Sequence, residues 1–138
     1  MVNESEQGVY VASRASVPER PAYWRRLREE GYRLTSSWID EGPAPCMATL
    51  WSKIEQEIAD SAGVLLYAEP DDFPLRGALI ECGMALGVGK SVALVLPNVE
   101  IELPSYRPIG SWVCHPKVQR FDTVEDAYRW LQAGAPSA

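Results

Sequence analysis

The chain has 138 residues, 46% hydrophobic and 23% charged, with a formal net charge of -6. These values suit one folded domain with its own core and exclude a disordered chain. The acidic balance also excludes a general duplex nucleic-acid binder, which needs a basic face for phosphates.

The opening MVNESEQ is polar and acidic, the reverse of a signal peptide, and residues 1–7 are expected to be flexible. Gly8-Val9-Tyr10-Val11-Ala12-Ser13 reads as a first strand and the start of a loop. Pro18 and Pro21 bracket a helix start, and Tyr23, Trp24, Leu27 and Tyr32 recur at helical intervals, with Gly31 as a cap. Tyr32 to Trp38 alternates enough to predict a second strand, and the Gly/Pro-rich Glu41 to Cys46 predicts a loop. Leu50, Trp51, Ile54 and Ile58 mark an amphipathic helix from Met47 to about Asp60.

Val64 to Tyr67 predicts a buried strand, followed by the acidic loop Glu69 to Pro74. A strong helix is expected from Arg76 to Gly87 and another buried strand from Ser91 to Leu96. That apolar run is far too short to span a bilayer. A connection holding Pro97, Pro104 and Pro108 leads to a short strand, Val118 to Phe121, and a last helix, Val124 to Leu131. Residues 133–138 read as a loose tail.

Strands alternating with helices, with nearly all-apolar central strands, predict a parallel sheet covered on both faces. The expected fold is α/β: a small doubly wound three-layer sandwich, one domain over residues 8–132, with a mainly parallel, flavodoxin-like sheet of about five strands. Ligands in such folds sit beyond the carboxyl ends of the strands, near the switch in strand order. This brings together the loop after Ser13, the loop after Tyr67 and the start of the helix carrying Glu81.

Cys46, Cys82 and Cys114 are scattered, which suits reduced thiols in a cytoplasmic protein. With the lone His115 they fall short of a zinc set, so no metal is expected. Cys114 and His115, as neighbours in an extended segment, would face opposite ways and make no catalytic couple. Trp24, Trp38 and Trp51 have core or interface spacing, with base stacking as the minor alternative.

Glu81 lies among Leu79, Ile80, Cys82 and Met84. A carboxylate there is either on the helix's wet face or at a pocket floor. Gly77 and Gly83 would let a ligand approach the backbone, and a nearby helix N-terminus would favour the ionised form. Ser13, Arg14 and Arg76 have the right chemistry to hold one phosphate.

The run Arg76-Gly77-Ala78-Leu79-Ile80-Glu81-Cys82-Gly83-Met84-Ala85, followed by Gly89-Lys90 and an apolar strand, resembles the signature of the nucleoside 2-deoxyribosyltransferase family. Relatives of that family include nucleotide N-glycosidases and N-hydrolases. Val9 to Arg14 looks like the family's opening strand and ligand-facing loop. Thr35 to Trp38 and His115 to Leu131 are similar to segments of short members, so the likeness spans most of residues 8–132.

The resemblance implies cleavage or transfer at the N-glycosidic bond of a nucleoside or nucleoside monophosphate. Glu81 would attack the anomeric carbon, and the glycosyl-enzyme would pass to water or another base. Tyr10 matches a family tyrosine that could orient the carboxylate through its hydroxyl, and Asp72 matches a loop aspartate that contacts the base. The family's aspartate on the helix before the third strand is missing. Lys53 or Ile54 stands there, with Glu55, Glu57 and Asp60 as neighbours that could substitute if the register shifts.

The general acid is therefore open, with Asp72 narrowly favoured over those three, and a non-catalytic nucleotide-binding or sensor domain is the alternative reading. No cofactor, membrane or polymeric nucleic acid is implied, and a homodimer or larger homo-oligomer is. A redox flavodoxin-like module is the weaker third reading, because the loop after Ser13 is poor in the Ser, Thr and Gly a flavin phosphate needs.

Overall fold

The computed structural model describes residues 7–42 and 44–134; the flexible start and loose tail expected at 1–6 and 135–138 lie outside the described residues. In chain order the elements are β1 (Tyr10–Ala12), α1 (Glu19–Glu29), α2 (Met47–Ala59), β2 (Gly63–Tyr67), α3 (Gly77–Gly87), β3 (Ser91–Val95), β4 (Val118–Phe121) and α4 (Val124–Gln132). The sheet is all parallel in the order β1-β2-β3-β4. This is a flavodoxin-like α/β fold. Among the described residues no helix is long and apolar enough to cross a membrane.

Side-chain alternation along the strands builds two cores. Tyr10, Ala12, Val64, Leu66, Val92 and Leu94 face one side, where Ile54 and Ile58 of α2 and Cys82 and Ala85 of α3 cover them. Val9, Val11, Leu65, Ala93 and Val95 face the other, covered by Trp24 and Leu27 of α1 and Val124, Ala127 and Leu131 of α4. Helices on both faces explain why β2 and β3 carry almost no polar side chain.

The fifth strand expected from Tyr32 to Trp38 is not formed. Only Leu34 bridges Val9, with Val9 N donating to Arg33 O and Thr35 N to Val9 O. One residue pair further on, side chains replace the ladder. Val11 N donates to Ser36 Oγ at 2.6 Å, and Trp38 Nε1 donates to Val11 O at 2.9 Å. With the outer groups of Val11 already satisfied, the backbone is free to turn into a short 3-10 helix, Ser37–Ile39.

The bridge still fixes the winding. From β1 the chain runs outward through α1 to Leu34, then returns across β1 through α2 to reach β2. The reversal opens a crevice between the carboxyl ends of β1 and β2.

Gly63 is required where β2 starts. A Cβ there would lie 2.6 Å from Ser91 O and 2.7 Å from Leu131 Cδ2. Because β3 backbone cannot yield cheaply, Gly63→Ala should destabilise the fold by about 2–3 kcal/mol in urea unfolding. A change below about 0.5 kcal/mol would mean the sheet yields at that point.

Candidate active site

A pocket of about 570 Å³ occupies the crevice. The loop after β1 contributes Ser13 and Arg14, the loop after β2 contributes Asp72, and α3 contributes Gly77 and Glu81, with Arg76 as its N-cap. Six of the residues expected from sequence thus line one cavity, and Tyr10 of β1 lies buried beneath it.

Glu81 is half-buried on α3, one turn past the helix's free amides. The helix dipole fades over that distance, and burial decides the protonation state instead. Desolvation pushes the Glu81 carboxyl up to about 8, opposed by the Tyr10 hydroxyl and assisted by the negative charge of Glu57. The expectation of a carboxylate kept ionised by the helix start is thereby corrected.

The Tyr10 hydroxyl is fully buried and lacks a hydrogen-bond partner of good geometry. Burial raises its pKa well above the ordinary phenol value, and Glu81 and then Glu57 are the charges that add most. Tyr10 and Glu81 are thus close enough for the phenol to favour the ionised carboxyl, although the pair falls short of ideal hydrogen-bond geometry. Glu57, on α2, accepts from Ser37 N at 3.1 Å.

Asp72 has a different setting from the one expected of a proton donor. It is 3% exposed, and its Oδ2 receives Arg20 Nη2 at 2.7 Å and Glu69 N at 2.7 Å. Arg20, itself 7% exposed, also donates to Ser13 Oγ at 3.1 Å and lies 4.8 Å over the Tyr67 ring. Arg14 donates to the Asp72 carbonyl at 3.2 Å. Asp72 is thus the anchor that joins the loops after β1 and β2. Sequence reasoning missed Arg20, because nothing local distinguishes it from the exposed arginines of α1.

The apolar walls are formed by Trp38, Leu50, Trp51, Ile54 and Phe73, of which Leu50, Ile54 and Phe73 were not expected at the site. Trp51 packs beside Gly77 of α3, where a Cβ would make ordinary contact with the indole at 3.7 Å. Trp38 and Trp51, read from sequence mainly as core, both face the cavity. Cys114 ends a 3-10 helix, Ser111–Cys114, and the segment is not the extended one expected. His115 Nδ1 accepts from Lys117 N.

A floor carboxyl, a buried phenol, aromatic walls and two arginines at the rim can hold a flat polar molecule and present a carboxylate to an electrophilic carbon. Compared with models of known protein families and with curated proteins, the chain matches none.

Proposed function

We propose that the chain cleaves or transfers at the N-glycosidic bond of a nucleoside or nucleoside monophosphate, with Glu81 as the nucleophile. The observation that carries this reading is the burial of Glu81 in a pocket at the carboxyl ends of a parallel sheet. Its resemblance-bearing segment, Arg76 to Ala85, lines that same pocket in part.

In this reading the sugar rests on Glu81. An oxygen of the ionised carboxyl bonds to the anomeric carbon as the carbon–nitrogen bond breaks, and the departing base is protonated from solvent. Water or a second base then attacks the same carbon and releases Glu81. Trp38, Trp51 and Phe73 flank the base. Ser13, Arg14 and Arg76 take a 5′-phosphate, and Tyr10 positions the carboxylate from below. Assembly as a homodimer or larger homo-oligomer belongs to the same proposal, with exposed Ile80 on α3 and Val88 at its C-cap as apolar side chains an interface would cover.

Incubation with deoxynucleosides and their monophosphates, followed by chromatography for free base, tests the reaction. The active form is ionised Glu81, so kcat/KM should rise with pH on an acid limb near 8. A rate that is flat or falling from pH 6 to 9 would remove the assigned role.

The commitment of Asp72 to Arg20 favours a second reading, ligand binding without turnover. Thermal stabilisation by a nucleotide with no base released after long incubation would select it.

A further inference from the structure

Beyond Trp38 the cleft opens into a second chamber of about 760 Å³, larger than the pocket over Glu81. Ala15, Trp38 and Leu50 line both, so the two cavities adjoin at these side chains. The chamber's own walls come from Glu41, Gly42, residues 44–46 and the first turns of α2, where Ala44, Pro45 and Met47 supply apolar surface. Met47 is 60% exposed, so its thioether is available to a guest in the chamber. The charges present, Glu41 and Lys53, neutralise each other at 2.6 Å. A space of this size, apolar within and charge-balanced at its edge, suits an uncharged apolar group.

We propose that the natural ligand is an N-glycoside whose base carries an alkyl or aryl substituent, and that this substituent occupies the chamber. The inference rests on the glycosidic reading of Glu81. A ligand seated by its sugar on that residue, with its base beside Trp38, directs a base substituent past that shared side chain toward the chamber. An unsubstituted nucleoside leaves the chamber unused, and its apolar walls then contribute nothing to affinity.

Cys46 supplies a reporter. It is exposed on the chamber wall at the N-cap of α2, and its thiol pKa is lowered by the Thr49 hydroxyl and by the Thr49 and Ala48 amides. Cys114 is exposed and outside both cavities, so it serves as the control. The experiment measures carbamidomethylation at each cysteine by mass spectrometry. The probes are deoxyadenosine monophosphate, its N6-benzyl derivative and N-phenyl-1-naphthylamine, an apolar aromatic without a sugar.

The benzyl compound should bind at least tenfold more tightly than its parent and slow labelling of Cys46 at least tenfold, leaving Cys114 unchanged. Met47→Glu should abolish that preference without altering the parent's affinity. Equal binding of the two nucleotides, or equal weakening of both by Met47→Glu, overturns the chamber's role while leaving the glycosidic reading intact. Protection of Cys46 by the naphthylamine with neither nucleotide binding overturns the ligand class through the failure of that reading.

Discussion

Glu81→Gln is expected to lower base release by at least about a thousandfold while leaving the protein folded. Glutamine keeps the shape of the side chain and copies its neutral form, which the pocket already favours. What it removes is the ionised oxygen that would attack carbon. Stability supplies a second readout with a definite sign. The carboxyl titrates at 4.5 ordinarily and at about 8 in the fold.

Below pH 4.5 it is protonated whether the chain is folded or not, and the full stability is present. As pH rises from 4.5 to about 8 the unfolded chain ionises first, and the wild type loses stability up to a ceiling of about 5 kcal/mol. Glu81→Gln should escape that loss, so its urea midpoint should overtake the wild type's between pH 5 and 8.5. Full turnover by the variant would remove the nucleophile. Parallel stability profiles would remove the burial that defines the site.

Asp72→Ala should be the most damaging polar truncation, costing about 3–5 kcal/mol and lowering Tm by on the order of 10 °C. The change strands Arg20 in the interior with Glu69 as its remaining carboxylate, 3.6 Å away and half-exposed, and leaves Glu69 N without its acceptor. Asp40→Ala breaks a pair of the same 2.7 Å length with Arg28 at the surface, and should cost under about 1 kcal/mol. Equal losses from the two variants would show that Asp72 is no anchor. Asp72→Asn, assayed where it is folded, should keep base release within about tenfold. A thousandfold loss there would make Asp72 the proton donor after all.

The elements that were readable from sequence are those whose burial is local in pattern. Val64 to Tyr67 and Ser91 to Val95 are apolar runs of strand length, and Leu50, Trp51, Ile54 and Ile58 trace a helical stripe that packs as its spacing requires. Tyr32 to Trp38 misled because its alternation is that of an edge strand. Whether such a segment pairs depends on who satisfies Val11, and the Ser36 hydroxyl and Trp38 indole do so first. Glu81 could be singled out by its segment's likeness to a family signature, whereas its protonation state could not. That depends on Tyr10 and Glu57, which are 71 and 24 positions earlier in the chain. Arg20 was illegible for the same reason: its partner, Asp72, is 52 residues away.

The Arg20 linkage also bears on how a ligand would enter. One guanidinium holds Ser13 on one side of the crevice and Asp72 and Glu69 on the other, stacked on Tyr67, whose own hydroxyl donates to Glu69 at 2.6 Å. Both lips of the opening are thereby clamped before any guest arrives. Little backbone freedom remains to be surrendered on docking, so more of the contact energy is kept as affinity.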